Sequence, residues 1–522
     1  MIKCIILVLI SSLFYVLAFP QYNFWWLSFV ALVPFFAAIE NAHGYVRKIM
    51  CGFFWSLAIS GGLGYWLFPA LCGNYGVSLP KTILFFGLCV FIPLLVLVVG
   101  FIGCYIFMRR RHIFFYALIV PSLWTTMEYV KELTPVLVPW GAIGYAVIDF
   151  VSFSQIADVG GVHGITFFIA AINSLAFILT RHVFYSISEI ADSWKFEGRF
   201  IRNQRSQMRL LVIMISLFFF LPVLYGKSKI KALSFEIDSK TAQGLAMETQ
   251  LIQGNYNLVE RWSGMGFFHR IQKHLDMTGP PAVEGKKRLI VWPETILNST
   301  TKLDDSFFLG IMSYIGRDAL LISGGLKEDE ETGGVLNSAY LISGTGDLMR
   351  YDKHVLLPYA ETSPMIDLLD PYYTAPNQFQ PGSSPLSFNT GLGSVGVSIC
   401  LEILYPCLIS QSVRHGAEFL VNISNDAWFG TSPMPYMHLN AARFRAVENR
   451  RYLLRASNSG ISAIISPDGK ILSRSDLFVC EEIAGQFLKF NQVTVYSRFG
   501  EIILYLCAGC LFIRLSWITF KN

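Results

Sequence analysis

The chain has 522 residues, enough for two or three domains, and is 53% hydrophobic with only 15% charged residues, against about 25% in an ordinary soluble protein. The charge deficit falls mainly on the first 226 residues and the last 24, which excludes a wholly soluble globule and predicts membrane helices there. The net charge of +5 lies beside hydrophobic runs and forms no groove-like basic cluster, which argues against nucleic-acid binding.

In chain order, hydrophobic runs occur at roughly 3–19, 24–39, 49–71, 82–108, 113–128, 153–180, 208–226 and 499–518. A span needs about 20 apolar residues, so these are eight candidate spans. The first two are short and separated only by Pro20-Gln21-Tyr22-Asn23, which fits a helical hairpin. Lys3 followed by an apolar stretch resembles a signal peptide, but no small-x-small cleavage site follows, so a retained helix is expected.

Loop charges set the expected orientation. With a cytoplasmic N-terminus, the inside loops carry Arg47-Lys48, then Arg109-Arg110-Arg111, then Arg181, Lys195, Arg199, Arg202, Arg205 and Arg209. The outside loops carry only Lys81 and Lys131. By the positive-inside rule a seven-span domain over 1–226 places residues 227–498 outside the cytoplasm, and the span in 499–522 returns the chain, with Arg514 and Lys521 inside.

Residues 227–498 read as one α/β domain. Strand-like runs lie at 289–292, 319–323, 339–343, 395–399, 419–423 and 461–465, and helical stretches at 262–276, 304–316, 405–415 and 438–449. The turn residues of Ser343-Gly344-Thr345-Gly346-Asp347 predict a tight loop between two strands. The acidic stretch 327–332 reads as a solvated loop. Seven of the ten cysteines, Cys4, Cys51, Cys72, Cys89, Cys104, Cys507 and Cys510, lie in apolar segments and read as small packing residues. Neither a disulfide framework nor a zinc site is expected, and the histidines form no ligand spacing, so no metal or other cofactor is called for.

Three segments carry candidate chemistry. Cys400 ends the run Gly396-Val397-Ser398-Ile399 and precedes Leu401-Glu402. A nucleophile at a strand-to-helix turn is exposed for attack, and the next backbone N–H, that of Leu401, points into the site as an oxyanion donor. Glu294 follows Trp292-Pro293 at another strand end, where burial beside the indole would favour proton uptake and suit general-base work. Lys353 follows Tyr351-Asp352, and an ammonium beside a thiol favours the thiolate and stabilises an oxyanion. Taken singly, each has an ordinary structural reading: a buried thiol, a polar turn acid, a surface lysine. Together, a thiol, a carboxylate and an ammonium on strand ends point to acyl transfer through a thioester. Ser424-Asn425-Asp426 either lines the pocket or serves as turn chemistry. Arg443, Arg445, Glu448 and Arg450 read as charges paired along one helix. Met265, Phe267 and Phe268 read as packing or as a lipid-contacting lid.

The order W-P-E-T, Y-D-K-x-x-L-L-P-Y-A-E, G-V-S-I-C-L-E-x-x-x-P resembles the nitrilase (carbon–nitrogen hydrolase) superfamily with its Glu-Lys-Cys triad. With eight hydrophobic runs around such a domain, the whole chain is similar to the apolipoprotein N-acyltransferase family. Leu251-Ile252-Gln253-Gly254-Asn255, Ser424-Asn425-Asp426-Ala427-Trp428-Phe429-Gly430 and Leu454-Arg455-Ala456-Ser457-Asn458-Ser459-Gly460 match as well. The resemblance implies a polytopic α-helical membrane domain plus an α/β nitrilase-like αββα sandwich. It implies Glu294 as base, Lys353 as oxyanion-stabilising lysine and Cys400 as nucleophile, with Glu361 a second essential acid, Glu402 a supporting acid and Trp262 a loop residue tied to substrate entry. It also implies a phospholipid acyl donor, diacylglyceryl-modified apolipoprotein acceptors, and a bacterial inner membrane with the catalytic domain in the periplasm and both termini cytoplasmic. Many members carry Tyr after the nucleophile, where this chain has Leu401, and a frequent Asp-Gly is Asp426-Ala427 here. Two other classes stay open at this point: a membrane-anchored amidase acting on a small amide with water, and a transporter or lipid-binding protein with a degenerate nitrilase-like domain.

Overall fold

The computed structural model describes residues 1–74, 76–109, 112–133, 139–192, 198–256, 266–281, 285–298, 305–328, 333–358, 361–362 and 379–520, with the backbone alone over 184–192, 198–205 and at 305. The chain forms two compact units, one of Met1–Tyr65, Leu84–Lys229 and Glu501–Asn522, the other of Trp66–Ile83 and Ile230–Gly500.

The first unit is helical. Among the described residues four helices are long and apolar enough to cross a membrane: Leu79–Met108, Ala157–Val183, Ser206–Ala242 and Ile502–Thr519. Ile2–Leu17 and Trp25–Asn41 are shorter apolar segments. The run at 24–39 is not one helix. It folds as a 3-10 turn, Trp25–Phe29, and a helix, Val33–Asn41, whose start Pro34 favours. The break orphans backbone groups that an apolar setting cannot hydrate. Asn173 serves them, accepting from the Leu32 N–H (2.8 Å) and donating to the Ser28 carbonyl (2.8 Å). Ala157–Val183 is the most buried of the four long helices. The close approach is visible at Gly144, where a Cβ would stand 2.6 Å from the Val162 carbonyl oxygen. Its His163 is paired on both sides, with Glu132 at 3.2 Å and Glu501 at 3.0 Å, as a charge-bearing cluster in apolar surroundings must be. Cys507 and Cys510 lie one turn apart on the final helix, and both thiols are free.

The second unit carries two six-stranded sheets. The strands are β1 (Met247–Gln253), β2 (Arg288–Val291), β3 (Ala319–Glu328), β4 (Val335–Ser343), β5 (Leu348–Asp352), β6 (Ser387–Thr390), β7 (Gly393–Ile399), β8 (Phe419–Ser424), β9 (Leu453–Ser457), β10 (Ala463–Ile465), β11 (Ile471–Arg474) and β12 (Glu481–Phe487). The sheet orders are β12-β1-β2-β3-β4-β5 and β11-β10-β9-β8-β7-β6. β1, β2 and β3 run parallel, as do β7, β8 and β9, with antiparallel strands outside them.

Period-two alternation explains the layering. Leu289 and Val291 of β2 face the inter-sheet core with Leu251, Ile322, Val397, Ile399, Val421 and Ile423. Their neighbours Ile290 and Trp292 face the other way, onto the helices Gly266–Thr278 and Asp305–Ile315, with Phe267, Ile271, Phe308 and Ile315. Helices Pro406–Arg414 and Met434–Asn449 accompany the second sheet. The result is the αββα sandwich. The β4–β5 loop closes at Ser343–Asp347 as its turn residues predict, the Ser343 N–H donating to the Asp347 carbonyl (2.9 Å) across Gly346 at φ 108°. Parallel strands expose their carboxyl ends together, and such ends are where sites form in open sheets.

Candidate active site

Glu294 stands just beyond the end of β2 and is 5% exposed. The turn that carries it is tied to β3: Trp292 N–H donates to the Ile322 carbonyl (2.8 Å), Gly324 N–H to that of Pro293 (3.0 Å), and Leu297 N–H to that of Gly324 (2.8 Å). Gly324 has no substitute here, because a Cβ would lie 2.5 Å from both Glu294 Cα and the Thr295 nitrogen. Gly324→Ala is therefore expected to displace Glu294, to destabilise the unit by about 1–3 kcal/mol and to slow acyl-enzyme formation at least tenfold, by about the effect of one misplaced group. Single-turnover kinetics and a thermal unfolding midpoint read the two effects.

Lys353 follows β5 and is 1% exposed. Its Nζ donates to both carboxylate oxygens of Glu361, at 2.9 and 2.7 Å. Burial works against the ammonium, but the charges of Glu361, Glu294 and Cys400 outweigh it and hold Lys353 above the usual lysine range. Glu361 shows the converse. Burial opposes its charge, yet Lys353, the Leu357 N–H (2.7 Å) and Asn337 Nδ2 (2.7 Å) keep its carboxyl below the ordinary value. The same Asn337 amide donates to Glu294 Oε1 at 2.8 Å.

Cys400 begins a 3-10 helix, Cys400–Leu404, at the end of β7, with φ at 51°. A left-handed backbone at a residue with a Cβ is strained, and such strain gathers at sites. Glu402, fully buried, fixes the corner. Its Oε2 accepts from the Ile399 N–H (2.7 Å) and the Tyr351 hydroxyl (2.9 Å), and its Oε1 from the N–H groups of His354 (2.7 Å) and Val355 (3.1 Å). One carboxylate thus joins the end of β7 to the end of β5, and Cys400 to Lys353. Burial pushes the Glu402 carboxyl up to about 7 against these four donors. Burial and the Glu294 charge push the Cys400 thiol up to about 12, with Lys353 pulling the other way. The resting sulfur is therefore a neutral thiol that needs a base. Leu401 is buried beside it.

The structure thus brings Glu294, Lys353, Glu361, Cys400, Leu401 and Glu402 together at the strand ends of the two sheets. Trp262 and Met265 lie outside the described residues. Phe267 is buried in the helix–sheet layer, whereas Phe268 is exposed. Of the helix charges, Arg445 pairs with Glu448 at 2.7 Å, both fully buried, while Arg443 bonds the Gly469 carbonyl (2.8 Å) and Arg450 that of Pro467 (3.2 Å). Asn337 and the packing of Trp66–Ile83 have no sequence signal, whereas Asp426 is marked only as part of Ser424-Asn425-Asp426, without its partners. Asn337 is a lone amide in an apolar strand. Asp426 is buried between Arg455 Nη2 (2.7 Å), His438 Nδ1 (3.2 Å) and the Ser424 hydroxyl (2.8 Å). The segment Trp66–Ile83 packs on the turn Asp426–Phe429, with Asn74 Nδ2 donating to the Trp428 carbonyl (2.9 Å) and Trp66 edge-on to Phe429 at 5.1 Å.

A thiol at a strained strand end, flanked by a carboxylate and an ammonium on a double sheet, has the groups that cysteine-dependent acyl transfer requires. Residues 246–481 match the family model described as carbon-nitrogen hydrolase, and residues 11–175 match that of the apolipoprotein N-acyltransferase N-terminal domain. Relatives of the same description align along nearly the whole chain. The apolipoprotein N-acyltransferase of Geobacter metallireducens is 28% identical over 97% of this chain and 93% of its own. That of Wigglesworthia glossinidia brevipalpis is 26% identical over 97% of both, and that of Haemophilus influenzae 26% over 96% and 92%. Among solved structures, Saccharomyces cerevisiae Nit3, a member of branch 10 of the nitrilase superfamily, aligns with 47% of this chain and 90% of its own at 19% identity and a TM-score of 0.34. A carbon-nitrogen hydrolase from Helicobacter pylori G27 aligns with 53% and 95% at 14% identity and a TM-score of 0.36. Over nearly its whole length the chain is similar to the apolipoprotein N-acyltransferases, with both family domains in order.

Proposed function

We propose that the chain transfers an acyl chain from a phospholipid, through a thioester on Cys400, to the α-amino group of the S-diacylglyceryl cysteine of an apolipoprotein, the last step of lipoprotein maturation. The observation that carries this reading is the buried, strained Cys400 set among Glu294, Lys353 and Glu361 in a chain whose described residues include four long apolar helices.

In the first half-reaction Glu294 takes the Cys400 proton, and the thiolate attacks the ester carbonyl of the lipid. The Lys353 ammonium and the Leu401 N–H hold the oxyanion. On collapse the ester C–O bond breaks, the proton on Glu294 passes to the departing lysophospholipid oxygen, and the acyl group stays on sulfur. In the second half-reaction the acceptor's amine attacks the thioester, Glu294 receives the amine's proton, the C–S bond breaks and the proton returns to Cys400. An α-amino group has an unperturbed pKa of about 7.7–8.0, so a useful fraction of it is neutral at ordinary pH. Glu361 keeps Lys353 charged through both halves, and Glu402 holds the corner on which Cys400 sits. Trp262 in this reading takes part in substrate entry.

The membrane part in this reading is 1–226 and 499–522, with Trp66–Ile83 counted to the catalytic unit, and 227–498 faces the periplasm of a bacterial inner membrane. The excess of Arg and Lys in alternate loops supports that orientation, with both termini cytoplasmic. A lipid donor also explains why transfer competes with hydrolysis, since a site open to lipid limits water at the thioester.

The test is the intact mass of the purified enzyme after incubation with a defined phospholipid alone. The expected result is the gain of one acyl group, located on the Cys400 peptide and lost on adding a diacylglyceryl peptide. Turnover of a small amide by water, with no acyl group gained from lipid, would support the amidase reading and overturn this one.

A further inference from the structure

β7 and β8 are parallel with Ile399 opposite Ile423, so the next residues, Cys400 and Ser424, stand side by side at the carboxyl ends. Ser424 is fully buried. Its hydroxyl donates to Asp426 Oδ1 at 2.8 Å and, from the neighbouring strand end, acts to lower the pKa of the Cys400 thiol. A hydroxyl has one proton and two lone pairs, so it cannot donate to both at once. Beside a neutral thiol it can give its proton to Asp426 and offer a lone pair to S–H. Beside a thiolate, which only accepts, the favourable arrangement reverses.

Asp426 is built to release that donor. Its Oδ2 keeps Arg455 Nη2 at 2.7 Å, and its Oδ1 keeps His438 Nδ1 at 3.2 Å. Arg455 is itself anchored on Asn422, one strand residue from Ile423. Burial opposes its charge, but Arg455, His438 and Ser424 together hold the Asp426 carboxyl far below its usual range. Gly460 lets the loop close on the pair, since a Cβ there would lie 2.4 Å from Asp426 Oδ2 and 2.5 Å from Ser457 Oγ. The charges of Glu294, Lys353 and Asp426 act on Cys400, and Ser424 beside it is a neutral hydroxyl, a group whose proton can rotate.

We infer that Ser424 is a further catalytic residue, a rotating hydroxyl that donates to Asp426 while Cys400 is a thiol and swings its proton onto the sulfur when Glu294 withdraws the thiol's own. No bond of Ser424 is made or broken. Its proton stays on oxygen, it turns toward the thiolate before attack, and it turns back to Asp426 once sulfur is acylated. The same turn repeats when the acceptor amine expels the thiolate. Asp426 and Arg455 are positioning residues that set the angle from which the hydroxyl turns.

This rests on Cys400 as the nucleophile, and the experiment separates the two ideas. The full-length enzyme is alkylated with iodoacetamide between pH 7 and 10, and the Cys400 peptide is followed by mass. With the thiol pushed up to about 12, its rate climbs with thiolate fraction through that whole range. Two pairs isolate the hydroxyl: wild type against Ser424→Ala, and Ser424→Thr against Ser424→Val, which share one shape. In each pair the chain without a hydroxyl is expected to alkylate, and to form acyl-enzyme from phospholipid, about tenfold more slowly, the weight of one hydrogen bond to a charged group. Equal rates within either pair that folds would overturn the role of Ser424. An acyl group found elsewhere than on Cys400 would instead overturn the reading of the site.

Discussion

Replacing Cys400 with glycine is expected to abolish acyl-enzyme formation and yet to give a more stable protein than replacing it with alanine. Both remove the sulfur, and with it the nucleophile, a loss of about 10³-fold or more in acyl transfer. They differ in the backbone. At φ 51° an alanine retains the Cβ and its clash, whereas glycine occupies this region freely. The strain relieved is about 1–2 kcal/mol, less the entropy that glycine adds to the unfolded chain. Thermal unfolding of the two variants in the same detergent reads the difference, and intact mass after incubation with phospholipid reads the activity. A glycine variant less stable than the alanine one would show that the corner is relaxed.

Lys353→Met is the second large effect, and it falls on both stability and rate. The methionine leaves the buried Glu361 without its cation, keeping, among the described residues, the Asn337 amide and the Leu357 N–H as partners. An orphaned buried charge costs about 3–5 kcal/mol. Loss of the oxyanion's cation is expected to lower acyl transfer by about 10²–10³-fold. Adding Glu361→Gln removes the orphaned charge, so the double variant should recover most of the stability and none of the rate. In the wild type the sign of the pair's pH dependence follows from its two shifts. Glu361 is held below its ordinary 4.5, so its contribution is present above that pH and lost as pH falls through the depressed value. Lys353 is held above its ordinary 10.5, so its contribution is present below that pH and lost as pH rises through the elevated one. Unfolding midpoints across pH should therefore converge between wild type and the double variant only at the acid and alkaline extremes.

The parallel strands were legible because they are buried on both faces and read as unbroken apolar runs: Leu289 to Trp292, Ala319 to Ser323, Val395 to Ile399, Phe419 to Ile423. β1 and β9 hid themselves because polar residues point inward. Gln250 and Gln253 in β1 are buried on hydrogen bonds to Thr278 and to Asp476 and Val479, and Arg455 interrupts β9 to reach Asp426. The hydrophobic run at 24–39 concealed a break because Asn173, far along the chain, supplies the groups that the break leaves open. The segments of Glu294, Lys353 and Cys400 announced themselves through family resemblance. Their convergence depends on the stacking of two sheets and on Glu402 as a shared acceptor, which no local pattern encodes. Asn337 is legible only once β4 is placed beside β5, where its carbonyl receives the Lys353 N–H (2.8 Å).

That asparagine also gives the site a handedness at the scale of a single carboxyl group. Its Nδ2 presents one hydrogen to Glu294 Oε1 and the other to Glu361 Oε1. In the proposed chemistry the oxygen of Glu294 that already receives a hydrogen has given up one lone pair and is the less basic of the two. Incoming protons, first from the thiol and later from the amine, are thereby directed to Oε2. The two oxygens of one side chain become unequal, one a tether and the other a landing place, and the base acts from a single direction in both halves of the cycle.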